Sequence, residues 1–109
     1  MEIKGADQFI VDGQVGKTRS TLLTVPVRAK YFLSFWSLFN TSSTVQTVKV
    51  FIKPKLVSRQ IEEYTLASKG SARVLTEGEI LPLEAGDIVQ AETTSDGAVD
   101  FVISGYTWS

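Results

Sequence analysis

Short segments rich in Val, Ile, Thr and aromatic residues alternate with turn residues along almost the whole chain. Turn-forming sequences stand at Asp12-Gly13, Asn40-Thr41-Ser42-Ser43, Glu84-Ala85-Gly86-Asp87 and Asp96-Gly97. Such segments favour extended strands, and turns every 8–12 residues or so are typical of β-sandwiches and barrels. The pattern predicts an all-β fold, namely a single-domain antiparallel β-sandwich that is jelly-roll-like and has about eight short strands.

Lys30–Phe39 is the strongest predicted strand, and further strands are predicted at Ile88–Thr93 and Val99–Trp108. The polar turn after Phe39 predicts that residues 30–53 form a hairpin. Asp96-Gly97 is a short-hairpin signal between the last two strands. Strict alternation along residues 30–39 puts Phe32, Trp36 and Leu38 on one face and Tyr31, Leu33, Phe35 and Phe39 on the other.

The first 17 residues have the weakest pattern of the chain. They contain three glycines and one short apolar patch that includes Phe9 and Val11. We therefore expect residues 1–17 to form an N-terminal arm that pairs with a neighbouring sheet edge, and residues 18–109 to form the sandwich domain.

The chain of 109 residues contains neither cysteine nor histidine. This excludes disulfides, thiolate zinc sites, cysteine nucleophiles and Ser-His-Asp triads. The remaining candidates are the carboxylate pairs Glu62-Glu63, Glu77/Glu79 and Glu84/Asp87. A glycosidase needs two carboxyl groups across a cleft, whereas acids that are adjacent or lie in turns usually only solvate a loop. The sequence predicts that the protein is not an enzyme, with no catalytic residues, no metal site and no cofactor.

Charge is divided unequally along the chain. Residues 1–59 carry nine Lys or Arg and three acids, a net charge of +6, whereas residues 60–109 carry two and nine, a net charge of −7. Two interpretations are open. In the first, the two halves interleave in the fold and their charges mix on the surface. In the second, the molecule has a basic side and an acidic side, and it associates with copies of itself or with an acidic partner. The overall acidic balance and the scattered basic residues argue against nucleic-acid binding.

The chain lacks the apolar stretches that membranes require. No segment approaches the roughly 18 apolar residues of a membrane span, and the N-terminus has no apolar core of signal-peptide length. The sequence thus predicts no membrane partner and synthesis in the cytoplasm without a signal peptide.

Aromatic residues occupy both faces of two predicted central strands, residues 30–39 and 99–108. A sandwich strand ordinarily buries one face, so the second face is either covered by the arm or a loop, or forms a subunit interface. For Tyr106 and Trp108 we prefer the interface. The predicted subunit or partner interface combines apolar residues with a basic rim: Phe9, Val11, Arg28, Tyr31, Phe39, Lys53, Lys55, Arg59, Tyr106 and Trp108.

Several of these segments together form a wider pattern. It comprises Leu23-Thr24-Val25-Pro26, Phe39-Asn40-Thr41-Ser42, Thr47-Val48-Lys49-Val50, Ala67 with Gly70-Ser71, residues 80–88 (ILPLEAGDI) and residues 99–106 (VDFVISGY). Over roughly residues 21–107 the chain resembles small β-sandwich virion proteins of tailed bacteriophages, such as capsid decoration (cement) proteins and neck or tail accessory proteins. The resemblance is one of spacing and does not extend to residues 1–20.

The resemblance implies a structural role in a virion. The expected function is that of a decoration protein, which binds the outer capsid surface as a homotrimer or homodimer and stabilises the shell by non-covalent contacts. Its expected partners are further copies of itself and a major capsid or neck/tail protein. A neck, tail or fibre-base accessory protein is the alternative. A carbohydrate- or receptor-binding module is a further alternative from another class, because sugars stack on exposed aromatic rings.

Overall fold

The computed structural model describes residues 6–53 and 57–108, and within them the chain forms nine strands. Their bounds are β1 (Ala6–Val15), β2 (Ser20–Thr24), β3 (Lys30–Asn40), β4 (Gln46–Lys53), β5 (Arg59–Leu66), β6 (Ser71–Leu75), β7 (Leu81–Leu83), β8 (Ile88–Thr93) and β9 (Val99–Trp108). In these ranges there is no helix and therefore none that could cross a membrane. The predicted all-β class is confirmed.

The strands form two antiparallel sheets that pack face to face. Sheet A has the order β1-β9-β3-β6, with the short strand β7 also paired to β3, and sheet B has the order β2-β8-β4-β5. The first four strands alternate between the two sheets, as strands do in a jelly roll built from two Greek keys. The jelly-roll-like β-sandwich that we predicted is therefore the observed fold.

Both predicted hairpins are wrong, although their strands are placed correctly. β3 pairs with β9, β6 and β7 in sheet A, whereas β4 pairs with β5 and β8 in sheet B. The turn that contains Asp96-Gly97 likewise leads from β8 in sheet B to β9 in sheet A. Each turn reverses the chain, but the next strand crosses to the other sheet instead of pairing with the preceding one.

The predicted arm is also corrected where the structure describes it. Residues 6–15 form β1, which pairs along its whole length with β9, from Ala6 opposite Trp108 to Val15 opposite Val99. Phe9 and Val11 pack against the core, and Val15 is fully buried. The sandwich thus includes residues that we had assigned to the arm, because Phe9, Val11 and Val15 face inward despite Gly13 between them.

A β-bulge in β3 changes which side chains face the core. Leu33 is opposite Gly105 and Phe35 is opposite Ser104, so Ser34 is an extra residue on this strand. A bulge shifts the alternation by one residue. Consequently Leu33 and Trp36 are both buried, and the strict alternation that we predicted from sequence fails at this point.

Gly105 is the residue that makes the bulge possible. A Cβ atom on Gly105 would lie 2.0 Å from the carbonyl oxygen of Phe32 and 3.0 Å from the Cα of Leu33. Backbone can approach backbone this closely only where no side chain intervenes. The two strands at the centre of sheet A therefore depend on glycine at this position.

One fully buried polar side chain joins the ends of the two sheets. Asn40 ends β3, and its Nδ2 donates hydrogen bonds to the carbonyl oxygens of Thr44 (2.7 Å), Leu66 (3.1 Å) and Ala67 (3.1 Å). Its Oδ1 accepts hydrogen bonds from the backbone N–H (2.9 Å) and hydroxyl (2.7 Å) of Ser42. Because a buried amide without partners is costly, this network fixes the crossing from sheet A to sheet B.

Candidate interaction surface

The outer face of sheet A carries an unusual number of large apolar side chains. Directly paired residues share a face, so the registers of β1, β9 and β3 define this surface. Its apolar members are Ile10, Phe32, Phe35, Phe39, Val102, Tyr106 and Trp108. Ile10 is 75% exposed, Tyr106 45%, and Phe39 and Trp108 42% each. Exposed apolar side chains gathered on one face are typical of interaction sites.

The bulge concentrates aromatic rings on this outer face. Phe32 precedes Ser34 and lies opposite Tyr106, whereas Phe35 follows Ser34 and lies opposite Ser104. With strict alternation, residues 32 and 35 would face opposite ways. The extra residue turns both rings outward, and the ring of Tyr106 extends the same apolar strip across the strand pair.

Two cations lie over the rings of β3. The guanidinium of Arg73 in β6 is 4.3 Å from the ring centroid of Phe35, and the ammonium of Lys30 is 5.5 Å from that of Phe32. Cation–π contacts at exposed sites contribute about 0.5–1 kcal/mol each. Arg73 therefore makes the β6 side of this face basic, whereas the ammonium of Lys30 is also paired with Glu84 at 3.2 Å.

Acidic residues lie on the opposite side of the same face. Asp12 in β1 is paired with Val102, and Asp100 in β9 is paired with Phe39. The outer face of sheet A thus combines an apolar centre, an acidic flank on the β1 side and a basic flank on the β6 side.

The outer face of sheet B is organised differently. Phe51 of β4 points outward but is only 3% exposed, because the guanidinium of Arg19 lies 3.7 Å from its ring centroid. Arg19 also forms an ion pair with Glu92 at 3.6 Å and donates a hydrogen bond to the hydroxyl of Ser58 at 3.4 Å. This face covers its aromatic ring with residues of the same chain.

The predicted aromatic and apolar interface residues fall into two groups. Phe39, Tyr106 and Trp108 lie on the outer face of sheet A, as predicted. Tyr31 lies on the inner side, half-buried against the core, with its ring centroid 4.8 Å from that of Phe9. The outward assignment of Tyr31 is wrong because it rested on strict alternation through Ser34. Phe9 and Val11 also face inward, so their place is the core side of β1.

The predicted basic rim is only partly assembled. Lys53 and Thr24 flank Ile88 in the register of sheet B, and Arg59 pairs with Ile52. Lys53 and Arg59 therefore lie at the end of sheet B where β2 leads into the turn that contains Arg28, an exposed residue with a φ of 69°. Glu84 and Asp87 follow β7 and precede β8 near this same end, so it is not uniformly basic. Lys55 lies outside the described residues.

The charge split along the sequence mixes on folding. The three ion pairs among the described residues are Arg19–Glu92 at 3.6 Å, Lys30–Glu84 at 3.2 Å and Lys49–Glu63 at 4.0 Å. Each joins a base from the first half to an acid from the second. These contacts therefore agree with the interpretation that the two halves of the chain interleave. Charge is separated locally, on the two flanks of the outer face of sheet A, and not between a basic and an acidic side of the whole molecule.

The acidic residues considered for catalysis serve turns and ion pairs. Glu79 accepts hydrogen bonds from the backbone N–H (2.7 Å) and hydroxyl (2.6 Å) of Thr76, and Asp87 accepts one from the N–H of Glu84 at 2.8 Å. The bonds from Thr76 lower the pKa of Glu79. Within residues 6–53 and 57–108, no three acidic side chains come together in an arrangement that could hold a metal ion.

Several residues of the outer face of sheet A were not predicted from the sequence. Ile10, Phe32, Phe35 and Val102 were not among the predicted contacts, and neither were the flanking charges Asp12 and Arg73. Gly105 was the available signal, because a glycine inside a strand often marks a bulge or a close backbone approach. With a bulge placed opposite it, Phe32 and Phe35 would have been assigned to one face.

The fold and this surface define a jelly-roll-like β-sandwich protein whose candidate site is an exposed apolar sheet face. No protein-family model matches the chain, and no curated protein matches it. The chain is similar in structure to a protein of the Bacillus endospore appendages, which are described as a novel family of disulfide-linked pili. The two share 14% sequence identity with a TM-score of 0.55, and the match covers 95% of this chain and 86% of that chain. At this identity the similarity shows the fold alone.

Proposed function

We propose that the protein is a structural subunit that joins a larger non-covalent assembly through the outer face of sheet A. The observation that carries the proposal is the contrast between the exposed rings of Tyr106 and Trp108 and the covered ring of Phe51. Arg19 and Arg73 each lie over one outer ring, whereas Tyr106, Trp108 and Phe39 remain more than 40% exposed on sheet A. Burying such rings against a partner would contribute a favourable hydrophobic free energy that the isolated domain does not gain, because its rings stay in contact with water.

The structural likeness supports the assembly role in a limited way. The similar protein belongs to pili, which are assemblies of many copies, so the shared fold is compatible with serving as a repeated subunit. Those pili are disulfide-linked, whereas these 109 residues contain no cysteine. Contacts between copies of this sequence must therefore hold without disulfide bonds.

The particular assembly that we propose is a tailed-phage virion, with the protein as a capsid decoration subunit. Its support is the spacing of the sequence segments between residues 21 and 107, together with a surface suited to repeated modest contacts that many copies add together. The neck or tail of the particle is the alternative position. Imaging the labelled protein on particles would distinguish the shell from the neck.

The test of this proposal is association with purified particles. Particles from cells that produce the protein are sedimented through a sucrose cushion, and the protein is followed by immunoblot and by gold label. Replacing Tyr106 and Trp108 with serine is expected to reduce the bound fraction at least tenfold. A matched control replaces Val45 and Ile80, which are 59% and 62% exposed at other places, and is expected to bind normally. Absence of the native protein from particles would overturn the virion role.

One observation favours a second candidate function, glycan binding. Tyr106 and Trp108 are two residues apart on β9, so both rings face the same side, and an open depression of about 440 Å³ lined by Gln8, Ile10 and Ser34 lies beside Tyr106. Sugars stack on aromatic rings of this kind. Binding on a glycan array that is lost in the Tyr106/Trp108 double variant would favour this function, and an array without binding would exclude it for the glycans present.

A further inference from the structure

We infer that the outer face of sheet A binds the same face of a second copy of this chain, around a two-fold axis that runs parallel to the strands between β9 and β3. This inference rests on the proposed assembly function and names its first contact. The surface is laid out so that its two flanks carry opposite charges, and a two-fold axis at its centre brings each flank onto the other. Such an isologous contact is the commonest form of homo-oligomer interface.

The central rows of the sheet define the geometry. One row across the sheet runs Asp12, Val102, Ser37 and Arg73, as the registers of β1, β9, β3 and β6 show. Rotation about an axis between β9 and β3 reverses the order of the row in the second copy. Asp12 of one copy then lies over Arg73 of the other, and this ion pair occurs twice in the dimer.

The neighbouring rows match in the same way. Tyr106 pairs with Phe32 within the chain, so reversal places Tyr106 of one copy over Phe32 of the other. Trp108 pairs with Lys30, so reversal places the indole over this lysine, whose ammonium lies 3.2 Å from Glu84 of its own chain. Aromatic–aromatic and cation–π contacts are both favourable in such positions.

The other aligned arrangement fits less well. A two-fold axis that lies in the plane of the interface but perpendicular to the strands would keep Asp12 on the same flank. It would place Asp12 over Gln8 of the second copy. Arg73 would then lie over Pro82, and no pair of opposite charges would form. Only the axis parallel to the strands brings the acidic flank onto the basic flank.

The size of the face suits a stable dimer. β1, β9 and β3 have ten or eleven residues each, about 33 Å of strand, and neighbouring strands lie about 4.8 Å apart. With β6 and β7 included, the face covers roughly 600 Å² in projection, close to the roughly 800 Å² of accessible surface that a standard interface buries on each partner. The strand directions of two sheets that pack face to face differ by about 30°. This rotation moves Asp12 away from the point directly over Arg73 of the second copy, by a distance that the arginine side chain can span.

The test is a charge exchange between the two flanks, read by sedimentation equilibrium of the full chain. The native protein is expected to have twice its mass of 12.0 kDa. Asp12→Lys and Arg73→Glu are each expected to weaken the dimer at least 30-fold, because each creates two like-charge contacts across the interface. The double variant restores the two opposite-charge pairs and is expected to recover dimerisation to within about threefold of the native protein.

A matched control reverses charges on the other sheet. Lys49→Glu and Glu63→Lys exchange an exposed ion pair within sheet B and are expected to leave the dimer unchanged. Circular dichroism melting establishes that each variant is folded before its mass is interpreted. A double variant that remains monomeric, or a native trimer, would overturn the two-fold contact.

The inference and the proposed function can fail separately. A native chain that is monomeric at all concentrations, yet binds particles through Tyr106 and Trp108, would overturn the two-fold contact and leave the assembly function standing. A charge-dependent dimer that is absent from every particle would support the contact and count against the virion role. Each result therefore decides one of the two.

Discussion

Sheet A and sheet B both carry large aromatic rings on their outer faces, but only sheet A also has outer rings, those of Phe39, Tyr106 and Trp108, that stay more than 40% exposed. Arg19 lies over Phe51 and is itself held by Glu92, so the ring is almost inaccessible. On sheet A, the cations Lys30 and Arg73 lie over rings of β3, while Tyr106 and Trp108 of β9 remain exposed.

This difference indicates which surface is complete in the isolated domain. The turn between β1 and β2 supplies Arg19, a long side chain that lies over Phe51 and is paired with Glu92. The residues paired with Tyr106 are Gln8 and Phe32, and neither carries a cation that could lie over its ring. The second copy that we propose would supply a cover for Tyr106.

The largest expected effect comes from Gly105→Ala, which would break the arrangement that creates the outer face of sheet A. The new Cβ would collide with the backbone of Phe32, so β9 or β3 must shift and the bulge at Ser34 cannot persist. We expect a loss of about 3 kcal/mol or more in the free energy of unfolding, measured by urea denaturation, because backbone cannot yield as a flexible side chain can.

Gly16→Ala is the matched control for this change. A Cβ at Gly16 would meet its nearest neighbours at 3.5 Å, an ordinary contact distance, and should change stability by less than about 1 kcal/mol. If Gly105→Ala were as stable as the native chain, the close approach of β9 to the bulge would be contradicted.

A smaller effect is expected from Arg19→Ala, which removes the cover from sheet B and makes its outer face resemble that of sheet A. The substitution removes the cation–π contact with Phe51 and the ion pair with Glu92. We expect a loss of about 1 kcal/mol in the free energy of unfolding, the combined scale of one cation–π contact and one partly exposed ion pair.

Lys49→Ala provides the comparison for Arg19→Ala, because it removes an ion pair on the same face without uncovering a ring. Lys49 and Glu63 are 4.0 Å apart and about half exposed, so we expect a change of less than about 0.5 kcal/mol. Equal effects of the two substitutions in the same denaturation assay would show that the cover over Phe51 contributes nothing beyond its charges.

The sequence was sufficient to locate strands but not to pair them. The predicted strands at residues 30–39, 88–93 and 99–108 agree with β3, β8 and β9 to within a residue, because alternation and turn residues are local properties. Whether a chain that reverses at Asp96-Gly97 stays in its sheet depends on where the next strand buries its apolar side. The burial of that apolar side depends on residues from the whole core and not on the turn, so the two predicted hairpins are wrong.

The residues of the candidate surface likewise divide into those that local alternation predicts and those that it does not. Tyr106 and Trp108 could be assigned outward from alternation in β9, where no bulge intervenes. Tyr31 could not, because the bulge that inverts β3 depends on a glycine in another strand, far along the sequence. Alternation within one segment carries no information about such a partner.

The smallest expected effect concerns the edge where the two sheets meet beside Tyr64 of β5. The two hydrogen bonds from Thr76 stabilise the charged form of Glu79 and so lower the pKa of this carboxyl. Burial raises the pKa of the Tyr64 phenol, and the negative charges of Glu62 and Glu79 raise it further. The connection between β6 and β7 in sheet A thus acts electrostatically on an edge strand of sheet B.

The sign of the pH dependence follows from the direction of the Glu79 shift. A carboxyl whose pKa is lower in the folded state stabilises the fold above its unfolded pKa, and this contribution is lost as the pH falls through the folded pKa. Glu79→Gln removes it, so the melting temperature should fall slightly at pH 7 and approach that of the native chain at acidic pH. Thermal melting at the two pH values measures this difference. Titration of the carboxyl groups and tyrosines by NMR should also show that the pKa of Tyr64 moves down toward its ordinary value in Glu79→Gln.

Glu77→Gln in the same turn removes an equal charge but leaves both hydrogen bonds between Thr76 and Glu79 in place. We expect this control to retain the lowered pKa of Glu79. If it instead raised that pKa as much as loss of the Thr76 hydroxyl does in Thr76→Val, the shift would arise from charge around the turn and not from the hydrogen bonds.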